Sequence, residues 1–508
     1  MKKLFYISAL ALFFSFFISC KKDKVITSPN TKLSFSQDSI LFDTVFTSIG
    51  STTKLFRVHN KNNGKVNISS IRLARGNASF FRLNVDGVPG KSFTNLEIAA
   101  QDSMYIFVEV TIDPTNQNNP FIYRDSILFD LNGGEQHFDL IAFGQNAYYH
   151  MPNQKIIFNN TSALYYDTLH VPMNGTDTWL ADKPHLIYGY VVVDSTQNLI
   201  IKPGAKIYLH NSAGIWVYRY GSITVGVGGD PNNLVTFQGD RLEQEYKDVP
   251  GQWDRIWINE GSVNNIINYA VIKNAYIGVH AGLSVFDGLS TGGYVSLSDS
   301  ALTGLTIDHT IIQNCSFAGI LGHYFNINGG DDVIANCGQH LCRFEYGGRY
   351  NFYQSTFANY WNQTNNSQAS NARTTPSFYF GNYYNGGTLN AFAEVYFGNC
   401  ILDGSLAEEF HFDTLVQSGG FAHPYLFDHC LLKTQIFNQN GSHTLVSIIN
   451  NNPSFVDPST YNFKINPINS AAINRGGSSA NGGFTYDILN NPFIVTGNSY
   501  PDIGAYAH

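Results

Sequence analysis

The feature that most constrains the fold is a short apolar segment, usually closing on asparagine and one more residue, that recurs every 22 or 23 residues. IIQNC at residues 311–315 is followed by VIANC at 333–337 and TFANY at 356–360, and VIKNA at 271–275 fits the same template. Such a period is typical of a parallel β-helix, in which each coil adds one strand to each of several parallel sheets, about 4.8 Å above the previous coil. Residues 175–450 would then form roughly twelve coils.

Stacked coils turn a repeated residue into a ladder along the solenoid. We predict that asparagines from successive coils stack at a tight turn and link the coils through their side-chain amides: Asn274, Asn314, Asn336 and Asn359. The same repeat places Cys315 over Cys337, and a second pair of similar segments places Cys400 near Cys430. The cysteines after residue 20 are odd in number and lie in apolar strands, which favours buried thiols. A disulfide within a stacked pair is the alternative.

Composition indicates an all-β protein and excludes several classes of function. Charged residues make up 13% of the chain and aromatic residues 14%, with 46 glycines. Disordered chains carry more charge than this, and helical bundles carry more alanine, glutamate and leucine. The formal net charge of −8 is spread along the chain. Since phosphate binding needs clustered lysine and arginine, no nucleic-acid partner is expected.

Residues 33–147 have a different pattern, with about seven short apolar strands separated by turns. Hairpin turns are indicated by NNG at residues 62–64 and NGG at 132–134. This pattern predicts an antiparallel β-sandwich. DTVF at residues 43–46, with VHN at 58–60, resembles immunoglobulin-like (Ig-like) modules of bacterial surface proteins. The resemblance implies a spacer or interaction module.

The N-terminus has the pattern of a lipoprotein signal peptide. Two lysines precede an apolar run at residues 4–18, which is too short to span a bilayer. The run ends in FISC at residues 17–20, which resembles a bacterial lipobox with phenylalanine where leucine is usual. The resemblance implies that residues 1–19 are removed, that Cys20 is acylated, and that residues 20–32 form a tether to the lipid of the outer membrane of a bacterial cell envelope. A plain secreted protein is the alternative.

Residues 148–508 carry motifs that resemble those of a known superfamily. LIIKPGA at residues 199–205 is followed by GQW at 251–253, and the chain closes with NPSFVD at 452–457 and PDIGAY at 501–506. These motifs are similar to those of the pectin lyase-like superfamily, in particular of Bacteroidetes lipoproteins with an N-terminal Ig-like domain. The resemblance implies an all-β chain whose sandwich is followed by a right-handed parallel β-helix with a C-terminal cap.

Two neighbouring aspartates are catalytic candidates, because that superfamily includes pectate lyases and polygalacturonases. Asp331 and Asp332 resemble the paired aspartates of polygalacturonases, in which one carboxylic acid protonates the leaving oxygen and a carboxylate activates water. The companion motifs of those enzymes are missing. Arg343 and Glu345 follow one coil later on one face of a strand, and with the aspartates they could form the base and Ca²⁺ site of a lyase. Turn aspartates and a solvated ion pair are the alternatives.

Two further groups are candidates for binding. Glu408, Glu409, His411 and Asp413 could hold a metal or act as acid–base groups, with an ordinary polar loop as the alternative. Aromatic side chains crowd residues 346–361, where we select four candidates for contact with a ligand: Arg349, Tyr350, Tyr353 and Trp361. Exposed rings can stack on sugars, while packing in the core is the alternative. The insertions at residues 281–301 and 362–375 are expected to form loops on one face.

The preferred hypothesis is a lipid-anchored envelope protein whose β-helix binds a glycan or another surface ligand without cutting it. No complete catalytic set is present, and this function requires no cofactor; Ca²⁺ belongs to the lyase alternative. The first alternative is a polysaccharide lyase or hydrolase that uses Asp331, Asp332, Arg343 and Glu345. The second is a structural or adhesion protein.

Overall fold

The computed structural model describes residues 24–114, 120–158, 162–282, 304–361, 373–384, 388–389, 392–414, 425–439, 441–494 and 500–508. The chain divides into two compact units, Met1–Asn146 and Ala147–His508. The predicted signal peptide, Cys20 and most of the two predicted insertions lie outside the described residues. The described part has no helix with the length and apolar character needed to cross a membrane.

The described part of the N-terminal unit is built from strands in two sheets. The strands are β1 (Ser34–Phe35), β2 (Ser39–Phe46), β3 (Lys54–His59), β4 (Val66–Leu73), β5 (Phe81–Val85), β6 (Val88–Gly90), β7 (Ser92–Ile98), β8 (Ser103–Val110), β9 (Phe121–Leu131) and β10 (Gly134–Gln145), with a 3₁₀ helix at Gly76–Ala78. The sheets have the orders β1-β3-β8-β5-β6 and β2-β10-β9-β4-β7. Strands β2 and β10 pair in parallel, and the other neighbours pair antiparallel.

Alternation of inward and outward side chains lets the two sheets share one core. In β8, Ile106 and Val108 are fully buried, whereas Tyr105 is 46% exposed. Phe56 of one sheet stacks on Phe138 of the other, with ring centroids 3.9 Å apart. The predicted N-terminal β-sandwich is confirmed.

The second unit is a long solenoid of short strands. The strands are β11 (Tyr148–His150), β12 (Gln154–Phe158), β13 (Ser162–Thr168), β14 (Thr176–Trp179), β15 (His185–Ile187), β16 (Tyr190–Val193), β17 (Asn198–Ile201), β18 (Lys206–Leu209), β19 (Gly214–Val217), β20 (Ser222–Val225), β21 (Val235–Gly239), β22 (Ile256–Ile258), β23 (Asn265–Asn268), β24 (Ala270–Lys273), β25 (Ile277–Gly282), β26 (Leu305–Asp308), β27 (Ile311–Gln313), β28 (Ala318–Gly330), β29 (Val333–Ala335), β30 (His340–Tyr353), β31 (Thr356–Asn359), β32 (Phe378–Gly381), β33 (Tyr383–Tyr384), β34 (Thr388–Leu389), β35 (Phe392–Gly398), β36 (Ile401–Gly404), β37 (Phe410–Asp413), β38 (Tyr425–Asp428), β39 (Leu431–Leu432), β40 (Thr444–Leu445), β41 (Ile448–Ile449), β42 (Phe455–Asp457) and β43 (Asn462–Ile465). Two 3₁₀ helices lie at Gln244–Tyr246 and Pro458–Thr460.

The solenoid has three faces, each built by stacking strands from successive coils. Face 1 is an 11-stranded sheet formed by β11, β15, β18, β21, β24, β27, β29, β31, β36, β39 and β41. Faces 2 and 3 belong to an 18-stranded sheet. Face 2 comprises β16, β19, β22, β25, β32, β37 and the first halves of β28 and β30. Face 3 comprises β17, β20, β23, β26, β35, β38, β40 and the second halves of β28 and β30. The stacked pairs are parallel, which confirms the predicted β-helix.

The sequence repeat is the register of face 1. Ile312 pairs with Ile334, and Ile334 pairs with Phe357, which are the repeats of 22 and 23 residues. All three side chains are fully buried in the central core of the solenoid. Each inward position stacks on the same position of the next coil. The apolar residues therefore form continuous columns, in which neighbouring coils are about 4.8 Å apart.

Residues with positive φ make the corners between faces. At the corner from face 3 to face 1, φ lies between 44° and 54° at Tyr269, His309, Asp331, Gln354, Asn399, His429 and Val446. This conformation costs a non-glycine residue roughly 1–2 kcal/mol. Its recurrence in coil after coil therefore indicates that the stacked strands impose it.

The predicted asparagine ladder lies at the corner from face 1 to face 2. Asn274, Asn314 and Asn336 have φ of 63°, 56° and 47°, and Asn359 ends β31 in the corresponding position. Asn314 Nδ2 donates to Asn274 Oδ1 at 2.7 Å. Asn336 Oδ1 accepts a hydrogen bond from Tyr360 N of the next coil at 2.9 Å. The amides therefore link coils at these two steps.

The five cysteines of the solenoid are buried thiols, as predicted. None is in a disulfide and each is fully buried. Cys400 N donates to Cys430 Sγ at 3.4 Å across one coil step. Burial, together with neighbouring Cys337, raises the pKa of the Cys315 thiol, so this side chain stays protonated and packs as a small apolar group.

The described residues of the C-terminal segment, 455–494 and 500–508, pack along the side of the solenoid. The outward alanines of face 1, Ala335 and Ala358, leave room for Phe463. At the corner between faces 3 and 1, Gln354 Nε2 donates to Asp502 O at 3.1 Å. Gly330 lies so close to the ring of Phe484 that a Cβ there would collide with it. The segment therefore covers face 1 from β27 to β41 and this corner.

Candidate functional site

The outward-pointing side of face 2 carries a row of large side chains, one from each of seven coils. Four of them are nevertheless buried: Trp216, Trp257, His280 and Leu321. Within a strand the flanking residues point into the core, as Ile256 and Ile258 do around Trp257. The strand register places these residues in one row: Trp216, Trp257, His280, Leu321, Arg343, Tyr379 and His411. Parallel pairing about 4.8 Å apart brings these side chains within contact distance of their neighbours.

Hydrogen bonds join the polar side chains of this surface. His323 Nδ1 lies 3.2 Å from His280 Nε2, and His323 Nε2 lies 3.0 Å from Glu345 Oε2. Arg343 Nη2 donates to Glu345 Oε1 at 2.8 Å, and Arg343 Nη1 lies 3.3 Å from His340 Nε2. We call these five residues the face-2 network.

The face-2 network continues toward the N-terminal end of the solenoid. Arg255 Nη1 lies 3.2 Å from His280 Nδ1, and Arg255 Nε donates to Asp254 Oδ1 at 2.9 Å. The other carboxylate oxygen of Asp254 accepts a hydrogen bond from Tyr190. Polar groups from five coils therefore form one connected chain on face 2.

Electrostatics fix the charge states inside the network. Burial would raise the pKa of Glu345, but hydrogen bonds from His323 and Arg343 and the charge of Arg343 outweigh burial and lower this pKa to about 2. Burial lowers the pKa of His340 to about 4, and the charge of Arg343 adds to the effect. At neutral pH the network therefore holds an Arg343–Glu345 ion pair beside a neutral His340.

Aromatic rings form a column beside this network. The column consists of Tyr276, Phe317, His340, Tyr379 and His411. Successive ring centroids are 5.5, 6.1, 5.9 and 5.3 Å apart. The Arg343 guanidinium lies 4.4 Å from the ring centroid of Tyr379. Tyr276 is 44% exposed and His411 is exposed, so the two ends of the aromatic column reach solvent.

An ionised carboxylate, that of Asp413, lies beside the last two rings of the aromatic column, Tyr379 and His411. Asp413 Oδ2 accepts hydrogen bonds from Tyr379 at 2.6 Å and from Tyr383 at 2.9 Å. These two hydrogen bonds lower the pKa of Asp413, and the one from Tyr379 has the larger effect. Asp413 therefore carries a negative charge at the surface and fixes the position of the Tyr379 ring.

The polar side chains of the face-2 network are engaged with one another. Both ring nitrogens of His323 and both carboxylate oxygens of Glu345 already have partners. Glycoside hydrolysis needs a carboxylic acid that keeps its proton, whereas Glu345 and Asp413 are both ionised. In the described part of the chain, no group of three or more histidine, cysteine, aspartate or glutamate side chains could hold a metal ion.

The structure does not bring Asp331 and Asp332 together with Arg343 and Glu345, which corrects that predicted cluster. β28 turns from face 2 to face 3 between His323 and Phe325, so the aspartates lie beyond the far end of face 3. Both aspartates are fully buried. Asp332 Oδ1 accepts a hydrogen bond from Thr310 N at 2.9 Å, which is a structural contact within the corner.

The buried aspartates retain their protons. Burial raises the pKa of Asp331 and of Asp332, and nearby Asp487 and Asp308 add to the respective shifts. Burial also raises the pKa of Asp308 to about 6. His309 Nε2 lies 3.4 Å from Asp331 Oδ2. Asp331 and Asp332 lie beneath the C-terminal segment, where Asp487 and Ile488 are close to Asp331.

The four predicted ligand contacts do not converge on one site. Tyr350 is fully buried and stacks on Phe344 with centroids 3.8 Å apart, so its prediction as a ligand contact is wrong. Tyr353 lies against Gly482 of the C-terminal segment. Arg349 is exposed on face 3, 3.6 Å from Glu394. Trp361 lies beyond the end of β31, where its backbone N–H donates to Asn359 Oδ1 at 3.3 Å.

The third predicted cluster does not form one site, because two of its residues make contacts within the fold and the other two lie on the surface. Glu409 is fully buried and pairs with Arg373 at 2.6 Å. Glu408 accepts hydrogen bonds from the side chain of Thr434 and the backbone of Gln435 at 3.0 and 2.7 Å. Only His411 and Asp413 reach the outer surface of face 2.

Five residues of the face-2 network and the aromatic column were not predicted from the sequence: His280, His323, Phe317, Tyr276 and Tyr379. One available signal was the shared pattern of GIWV at residues 214–217 and IWI at residues 256–258, where tryptophan alternates with aliphatic residues. Such alternation marks an outward ring on a strand whose other side is core.

Comparison with known proteins adds no assignment. No family model matches the chain, and no curated protein matches it. Of solved structures, the ASH / PapD-like domain of human CEP192 (PapD-like domain 7) is 14% identical over 25% of this chain and 94% of that chain, with a TM-score of 0.16. A family 123 glycoside hydrolase from Clostridium perfringens is 12% identical over 23% of this chain and 26% of that chain, also with a TM-score of 0.16. Likenesses at this level carry no argument about fold or activity.

Asp331→Asn should make the solenoid less sensitive to alkaline pH. Because the folded protein raises the pKa of Asp331, its stabilising protonation is complete below about pH 4 and is lost as the pH rises through the folded pKa. Each unit of that shift is worth about 1.4 kcal/mol. Asparagine suits the φ of 54° at this corner and does not titrate. Between pH 4 and pH 8, the free energy of unfolding measured in urea should therefore fall less in the variant than in the wild type.

Tryptophan fluorescence can follow this unfolding, because the five tryptophans all lie in the second unit. Exposed Asp194 is the matched control, and Asp194→Asn should leave the pH profile unchanged. If the profiles of Asp331→Asn and the wild type run parallel from pH 4 to pH 8, the assignment of a proton to buried Asp331 is wrong.

Glu345→Gln should have the opposite pH signature. The folded pKa of about 2 lies below the ordinary value of 4.5, so the stabilisation by Glu345 is present above pH 4.5 and is lost as the pH falls toward 2. The variant should be about 2–3 kcal/mol less stable at pH 7, and the difference should shrink to near zero at pH 2. Glu394→Gln, at an exposed ion pair on face 3, should change stability by less than about 0.5 kcal/mol. A pH-independent deficit in Glu345→Gln would contradict the charge assignment.

Proposed function

We propose that this protein is a lipid-anchored component of a bacterial cell envelope whose β-helix binds a glycan on face 2 without cleaving it. The observation that carries the proposal is the aromatic column, in which rings from five coils line up beside the face-2 network. Membership of the pectin lyase-like superfamily, with a right-handed coil, is part of the same proposal and is supported by the motifs at residues 199–205 and 501–506.

Geometry supports a linear sugar polymer as the ligand. The rings follow one another at 5.3 to 6.1 Å along the solenoid axis. This distance is similar to the length of one sugar unit in an extended glycan. A glycan along the column can therefore meet its exposed or half-buried rings, Tyr276, Phe317, Tyr379 and His411, whereas His340 between them is buried. Aromatic faces pack against the C–H faces of sugars, and the polar groups beside the rings can bond to hydroxyls.

Charge states support binding without cleavage. A glycoside hydrolase needs a carboxylic acid that keeps its proton and is open to the substrate. Burial raises the pKa of Asp331 and Asp332, which are fully buried, whereas Glu345 and Asp413, on the outer side of face 2, are ionised. These positions favour a binding protein over a hydrolase that uses any of the four.

Attachment to the membrane rests on the lipobox-like segment. Cys20→Ser should abolish labelling of the expressed full chain by a fatty acid and should move the protein from the membrane to the soluble fraction. Cys315→Ser, at a buried thiol, is the control and should leave labelling intact. Equal labelling of Cys20→Ser and the wild type would exclude acylation at Cys20.

Tyr379→Ala should weaken glycan binding about tenfold, because one stacking ring is worth about 1–1.5 kcal/mol. Affinity gels that contain single neutral or acidic polysaccharides would measure this, with reducing ends assayed in parallel. Tyr396→Ala is a matched control: Tyr396 donates to Asp428 on face 3 at 2.9 Å, as Tyr379 donates to Asp413. It should bind like the wild type.

Three results would contradict the proposal. New reducing ends that depend on the protein would make it an enzyme. Equal loss of binding in Tyr379→Ala and Tyr396→Ala would move the site away from face 2. No retardation in any gel would favour the structural or adhesion alternative.

A further inference from the structure

The guanidinium groups beside the aromatic column are engaged by partners. In the described part of the chain, the guanidinium groups that contact the column belong to Arg255 and Arg343. Arg255 is paired with Asp254 at 2.9 Å, and Arg343 is paired with Glu345 at 2.8 Å. Neither guanidinium is therefore available to neutralise an anionic ligand.

The guanidinium of Arg343 is also enclosed sterically. Its carbon lies 4.4 Å from the ring centroid of Tyr379 and 5.8 Å from that of Phe317. Its Nη1 lies 3.3 Å from His340 Nε2. A carboxylate or sulfate on a sugar would have to displace Glu345 or one of the rings to form the two-pronged contact that arginine makes with anions.

A carboxylate, that of Asp413, lies at the column beside His411. Asp413 Oδ2 accepts from two tyrosines, and its pKa is lowered by these bonds. Within the described residues no hydrogen bond reaches the other carboxylate oxygen of Asp413. A surface carboxylate accepts hydrogen bonds from sugar hydroxyls, but it repels a second carboxylate at close range.

We infer that the aromatic column selects neutral glycans and disfavours glycans that carry carboxylate or sulfate groups. This inference rests on the proposed glycan-binding function and names the chemical class of its ligand. Neutral sugars offer C–H faces to the rings and hydroxyl donors to Asp413. An acidic polymer would meet the negative charge of Asp413 and no unpaired guanidinium, on a chain whose formal net charge is −8.

Matched oligosaccharides test the inference directly. Isothermal titration of residues 21–508 would use three pairs of 1,4-linked hexasaccharides, made from glucose, galactose or mannose and from the corresponding uronic acids. Members of a pair differ only at C6. The neutral member of at least one pair should bind at least tenfold more tightly than its acidic partner. The difference should shrink between 20 and 200 mM NaCl, because salt screens the repulsion.

Variants separate charge from shape. Asp413→Asn keeps an oxygen that can accept from Tyr379 while removing the charge, so it should improve binding of the acidic partner at least threefold and reduce the preference for the neutral one. Glu394→Gln removes an exposed carboxylate from face 3 and should change neither affinity. Thermal unfolding would confirm that both variants are folded.

The possible results test the selectivity for neutral glycans separately from glycan binding itself. Equal or tighter binding of the acidic member would overturn the selectivity for neutral glycans and leave glycan binding intact. An unchanged preference in Asp413→Asn would show that Asp413 does not set it, which also overturns the inference as stated. Absence of binding by all six hexasaccharides would contradict the proposed function and the inference together.

Discussion

In-register stacking of parallel strands is the constraint on which the second unit depends. Each coil can hydrogen-bond to the next only if its three strands stay aligned, and the corners must then turn within one or two residues. The chain meets this demand with positive φ at equivalent positions, such as His309, Asp331 and Gln354. Inward columns and outward rows both follow from that alignment, because side chains alternate strictly along each strand.

The same alignment separates two groups of carboxyl side chains. Asp331 and Asp332 fall at a corner that the C-terminal segment covers, so burial keeps their protons on. Glu345 and Asp413 fall on the outer side of face 2, where arginine, histidine and tyrosine donors keep them ionised. Buried and outward-facing carboxyl groups are thus distinguished by their place in the coil, and not by their spacing along the chain.

Face 1 could be predicted from the sequence, because its coils recur after 22 and 23 residues and end in asparagine. The row on face 2 could not, since insertions of different length separate its members: Trp257 follows Trp216 by 41 residues, and His280 follows after 23. Tyr350 was selected because aromatic side chains crowd residues 346–361, and crowding alone does not separate core rings from surface rings. The strand bends just before it, where Tyr346, Gly347 and Gly348 all have positive φ and the register shifts between Gly348 and Arg349. Tyr350 nevertheless packs in the core on Phe344.

Hydroxyl-radical footprinting, read by mass spectrometry, tests the central claim that face 2 is the binding surface. The full chain would be oxidised with and without a bound neutral oligosaccharide, and the modification rate of each ring compared. If face 2 binds the oligosaccharide, Tyr276, Tyr379 and His411 should be oxidised more slowly, and the rates at Tyr353 and Tyr396 on face 3 should not change. Protection of the face-3 tyrosines, with face 2 unchanged, would contradict the claim.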